Sequence, residues 1–121
     1  SQKPEDHFGL SEQNRKRVFY ETAAAEDKAR CEARVRAPDL ILNELAKAQR
    51  RKMGGPIAQG PGSAIMKQWA KQNRKQTSLI YKLQEKYRAR IARKYNLTLG
   101  QLLEITSEGV TMGWVSSRPR C

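Results

Sequence analysis

The chain has 121 residues, with 24 Lys or Arg against 12 Asp or Glu, one His and two Cys, so its formal net charge is +12. Its length suits one domain with a modest core, and a hydrophobic fraction of only 38% beside 30% charged residues favours an open, all-α layout with much solvated surface. No apolar run approaches the ~20 residues of a membrane span and the first residues lack the apolar centre of a secretory signal, so integral membrane insertion is not expected.

Residues 1–10 read as a flexible lead-in broken by Pro4 and Gly9, with Phe8 and Leu10 as anchors. Ser11 fits a helix N-cap. From Glu12 to about Ala37 the residues are mostly Ala, Arg, Glu and Lys, which predicts a long first helix with a thin apolar stripe of Val18, Phe19, Thr22, Ala25, Ala29 and Ala33. Pro38 ends it, because proline lacks an amide hydrogen and disfavours helical geometry in the residue before it.

Asp39 is placed to cap a second helix from Leu40 to about Met53, whose first turns hold Leu40, Ile41, Leu42 and Leu45. Arg50, Arg51 and Lys52 fall in its last turn, where cations meet the negative end of the helix dipole, and Gly54 is a suitable stop. Residues 54–62 then form a Gly/Pro linker. It lacks the Gly-Lys-Ser or Gly-Lys-Thr ending of a phosphate-binding loop and follows no strand, which argues against nucleotide hydrolysis.

Ser63 caps a third helix expected from Ala64 to about Tyr95, with no Gly or Pro inside it. Helical spacing puts Ile65, Trp69, Ile80, Leu83, Tyr87 and Ile91 on one stripe. Lys67, Lys71, Arg74, Lys75, Lys82, Lys86 and Arg93 gather on another face, and this helix sets ten bases against one acid, Glu85. A face kept merely soluble mixes signs to gain pairing at three or four residues' spacing; this one does not. Residues 1–45 are close to balanced, with eight bases and nine acids, so the excess charge is segregated along the chain.

Tyr95-Asn96 ends the third helix, and Thr98 with Gln101 fits a capping box that opens a short fourth helix. Leu99, Leu102, Leu103 and Ile105 make its apolar side, Gly109 is expected to stop it, and Val110 to Val115 to run as a short extended segment. Residues 116–121 read as a basic tail. The domain expectation is thus a lead-in, one helical domain over 11–115 and a tail.

The stretch from Gln101 to Val115 has the outline of a helix-turn-helix, but a break at Gly109 followed by Gly113 leaves little room for a recognition helix. Cys31 and Cys121 show no metal spacing and are expected as unpaired thiols in a reducing cytoplasmic or organellar interior. His7 reads as a surface residue. With one His and no base near either Cys, the chain is expected to be no enzyme and to need no cofactor.

A polyanion is therefore the expected partner. The leading expectation is a non-enzymatic nucleic-acid-binding helical protein, with RNA favoured over DNA, as in a ribonucleoprotein subunit. The expected contacts are Arg50, Arg51, Lys52, Lys67, Lys71, Arg74, Lys75, Lys82, Lys86 and Arg93. The alternatives are a DNA-binding regulator, attraction to an anionic membrane surface, or an assembly subunit that docks other proteins through Phe19, Trp69, Leu83 and Tyr87.

Overall fold

A computed structural model of the chain describes residues 6–56, 58, 60, 62–115 and 121; the rest of the expected lead-in, linker and tail lies outside the described residues. The fold is all-α, with α1 (Glu12–Arg36), α2 (Leu42–Met53), α3 (Ala64–Lys94) and α4 (Leu99–Met112). Among the described residues no helix is long and apolar enough to cross a membrane.

α1 begins as its composition predicts, with the Ser11 hydroxyl accepting from the Asn14 amide at 3.2 Å. The lead-in is tied down at its end: His7 and Leu10 exchange backbone hydrogen bonds, and Arg15 Nη1 donates to the Leu10 carbonyl at 2.8 Å. α1 lies against α3 along the largest interface in the molecule. The two run antiparallel, since Glu21 meets Lys94, Glu26 meets Arg88 and Ala29 and Ala33 meet Leu83.

Small side chains on α1 let the two helices close. Ala29 and Ala33, fully buried, pack with Leu83 and Tyr87, while Val18 joins Ile91, Ala92, Leu97, Leu102 and Ile105 where α1, α3 and α4 converge. Each buried Leu or Ile contributes ~1.5–3 kcal/mol relative to exposure, which is enough to seat a short helix such as α4 on a core of modest size.

α2 departs from its expected start. Asp39 does not cap it; Ile41 occupies the N-cap without a side-chain bond, and the helix opens at Leu42. Asp39 is engaged elsewhere, because the buried Gln76 of α3 donates through Nε2 to the Ala37 carbonyl at 2.9 Å and to Asp39 Oδ1 at 2.8 Å. Gln72 adds a bond to the Pro38 carbonyl. The α1–α2 connection is thus held on α3 by amides. The other end of α2 forms as expected, with Gly54 left-handed at φ 71° and its N–H on the Arg50 carbonyl.

α3 spans 31 residues, ~46 Å at 1.5 Å per residue, from the Ser63 cap to Tyr95. Asn96, left-handed at φ 55°, turns the chain out of the helix, and the Leu97 N–H closes on the Ala92 carbonyl at 2.8 Å. The Thr98–Gln101 capping box then starts α4 with both of its bonds made.

Gly109 does not stop α4, and the expected extended run from Val110 is helical as far as Met112. Gly109 is an approach point: the Phe19 ring lies so close to its Cα that no side chain fits. The stop is Gly113, left-handed at φ 73°. Only Trp114 and Val115 follow outside helix among the described residues before 121.

The cysteines also differ from expectation. Cys31 and Cys121 form a disulfide, with Cα atoms 5.2 Å apart across a sequence separation of 90 residues. Free thiols are therefore excluded for this pair, and the inference of a reducing compartment loses its support, since disulfides persist chiefly where conditions are oxidising.

Candidate nucleic-acid interface

The ten cations singled out in the sequence are all exposed. Arg50, Arg51 and Lys52 stand on the last turn of α2, while Lys67, Lys71, Arg74, Lys75, Lys82, Lys86 and Arg93 follow the outer face of α3. That face is outward because the opposite stripe, Ile65, Leu83, Tyr87 and Ile91, is buried. From Lys67 to Arg93 the row covers ~39 Å of helix axis.

None of these ten forms an ion pair among the described residues. The helix does contain paired cations, and they are different ones. Arg88 Nη2 bonds Glu26 Oε1 at 2.7 Å, and Lys94 Nζ bonds Glu21 Oε1 at 2.9 Å. Arg90 lies 5.6 Å from the centroid of the Tyr87 ring. The acids of α1 thus satisfy the flank of α3 that adjoins α1 and leave the outer face positive.

The carboxylates of α1 also take up the hydroxyls along the seam. Tyr87 Oη donates to Glu32 Oε1 and Tyr95 Oη to Glu21 Oε1. The Tyr87 phenol is raised above its ordinary pKa, first by the bond to Glu32 and then by burial, while Tyr95 is raised first by burial and then by Glu21. Both rings are therefore fixed as neutral donors. Near the N-terminus of α1, Arg15 is held in a two-pronged bond to Glu108, Nε to Oε1 at 2.7 Å and Nη2 to Oε2 at 3.0 Å, which raises its pKa further. That pair locks α4 to α1.

Leu83 and Tyr87 do not offer a partner surface: they are 6% and 8% exposed inside the α1–α3 core. Phe19 is half-buried against Gly109 and meets Trp114 edge-on at 5.8 Å. Trp69 is half-buried over a small notch of about 150 Å³ formed with Pro38, Leu40 and Gln76. The proposed docking set is thus dispersed, with two members in the core.

One residue on the outer face had no place in the sequence reading. Tyr81 is 64% exposed and lies in a shallow trough of about 460 Å³ with Asn73, Arg74, Thr77, Ser78, Lys82 and Glu85. Its position off the buried stripe was readable from helical spacing, but a lone Tyr within a basic helix gives no signal by itself.

The helix-turn-helix outline also changes. The turn expected at Gly109 does not exist, and the four residues 95–98 that join α3 to α4 lead into a helix with no Lys or Arg and with Glu104 exposed. Such a helix is poorly suited to a phosphate-lined groove. In comparisons with family models, curated proteins and solved structures, the chain shows no significant match.

Proposed function

We propose that this protein binds nucleic acid without catalysing a reaction, through the outer face of α3 and the last turn of α2, with RNA favoured. The observation that carries this reading is the sorting of cations on one helix. Arg88 and Lys94 are paired with α1 carboxylates, whereas the outer row has no carboxylate partner among the described residues. A like-charged row of this kind repels itself, and phosphates relieve that repulsion while releasing condensed counterions. RNA is preferred because α4 lacks the chemistry of a major-groove reader, and because a long exposed helix meets an irregular backbone without needing a fixed groove.

The test is the salt dependence of binding to mixed-sequence RNA and DNA. Each neutralised phosphate adds about −0.7 to the log–log slope on single strands and about −0.9 on duplex DNA. Half of the row engaged would give a slope steeper than about −3. A slope near zero removes the reading.

A second reading, a subunit that docks other proteins, is favoured by one observation. α4 exposes Leu99, Leu103, Val110 and Met112, and Leu103 and Val110 edge a trough against Phe19 and Ala23 of α1. Crosslinking of the intact chain in extract separates the two: RNA-dependent adducts support the first reading, and nuclease-resistant protein adducts that are lost on Leu103→Lys support the second.

A further inference from the structure

We infer that Tyr81 is a stacking platform for one unpaired base of a single-stranded nucleic acid, flanked by Arg74 and Lys82 as phosphate contacts. This rests on the reading of α3 as a nucleic-acid interface and adds to it the form of the polymer and the residue that selects it.

The four tyrosines of the chain supply the contrast. Tyr87 and Tyr95 donate to Glu32 and Glu21, and Tyr20 meets the Phe19 ring at 5.7 Å. Tyr81 makes no hydrogen bond and no ring contact among the described residues, and it is the most exposed of the four. An aromatic ring left this open has no part in holding the fold together. A ring face of this kind accepts any base, since every base has a π-face, and single-strand binders combine such rings with a cationic track.

The surroundings match that use. Arg74 stands seven residues before Tyr81, ~10 Å along the axis, and Lys82 directly follows it, so cations lie on both sides of the ring. Thr77 and Ser78 make no side-chain bond among the described residues, in contrast to Thr22 and Thr106, whose hydroxyls bond carbonyls of their own helices. They remain able to meet a base edge or a sugar hydroxyl. Glu85, one turn further on, is the single acid of the helix; its carboxylate repels a phosphate there and suits an exocyclic amino group of a stacked base. In a duplex the bases are stacked on each other and present no free face, so Tyr81 gains nothing from double-stranded polymer.

The experiment is fluorescence anisotropy with the full chain, using a labelled mixed-sequence single-stranded RNA, the matching single-stranded DNA and the DNA duplex, each over a range of salt. Tyr81→Ala is expected to weaken both single strands about tenfold with an unchanged salt slope, and to leave duplex affinity as it was. Tyr81→Trp and Tyr81→Phe are expected to retain single-strand affinity. Thermal melting should be unchanged in all three variants, because the side chain is outside the core. If the unaltered chain binds with a steep salt slope but Tyr81→Ala binds single strands equally well, the stacking role is wrong and the electrostatic interface stands. Equal losses on single strand and duplex would also overturn it. If the unaltered chain shows no salt-dependent binding to any of the three, both proposals fall.

Discussion

The Phe19 ring of α1 rests directly on the backbone of Gly109 in α4: a Cβ built at Gly109 would overlap Phe19 Cδ2 and lie 2.8 Å from Cγ. The contact reaches the inner part of the ring, so a small tilt cannot relieve it. Gly109→Ala gains ~1 kcal/mol of helix propensity, yet it must displace a ring that also packs on Trp114. Overpacking of this kind costs ~1–3 kcal/mol. The expected net result is a lower midpoint in urea and a lower Tm; an equal or raised midpoint would show that α4 is not seated through this contact.

Arg15 and Glu108 invite a double-mutant cycle. The Arg15 side chain is 4% exposed and that of Glu108 30%, so Arg15→Met leaves a partly buried carboxylate without this donor, while the Leu10 carbonyl keeps only the His7 N–H. The expected loss is ~2–3 kcal/mol, discounted for the exposed edge of Glu108. Combining Arg15→Met with Glu108→Leu should recover part of it, because two apolar groups leave fewer orphans than one charge. A double variant worse than the sum of the singles would refute the pairing as drawn.

The pH dependence of stability should show Glu21 at the acid end. Partial burial pushes its carboxyl up, but the hydrogen bonds from Tyr95 and Lys94 prevail and hold it below the ordinary value. The folded state therefore releases this proton more readily than the unfolded chain does. Its stabilisation is complete above the unfolded value of ~4.3 and is lost as pH falls through the lowered folded value. Tyr87 and Tyr95, raised in the fold, act in the opposite sense: their contribution is complete below the unfolded value of ~10 and is lost as pH climbs through the raised one. Glu21→Gln should destabilise at neutral pH and have much less effect once pH has fallen through the lowered folded value, measured by denaturant titration at each pH.

The helices were legible because their signals are local. Ser11, Ser63 and the Thr98–Gln101 box act within three residues of themselves, and α3 contains no breaker over its whole length. What failed depended on distant partners. Asp39 was a good cap by its neighbours, and only Gln76, 37 residues away, draws it off. Gly109 resembled a stop because nothing nearby indicates that Phe19 would fill the space. Arg15 and Glu108 are 93 residues apart, and the Cys31–Cys121 bond spans 90, distances at which residue type alone specifies no partner. In the site, the basic row was readable from helical spacing, while the division between paired and unpaired cations was not, since it depends on where α1 lies.

That division gives a direct test with paired variants. Arg74→Gln with Lys75→Gln should flatten the single-strand salt slope by about 1.4 and leave stability almost unchanged, at ~0.7 per contact. Arg88→Gln should do the reverse, lowering stability by about 1 kcal/mol through loss of Glu26 and leaving the slope as it was. Equal effects of the two on the slope would mean that the polymer does not distinguish the faces of α3.

The Cys31–Cys121 bond closes the chain into a ring that begins inside α1 and includes all of α2, α3 and α4. One protease cut anywhere on that ring, the Gly54–Ser63 connection included, yields two pieces that still travel as a single band. They part only once a thiol reagent is added, so a gel run with and without reductant reads the linkage without any need to know the polymer bound.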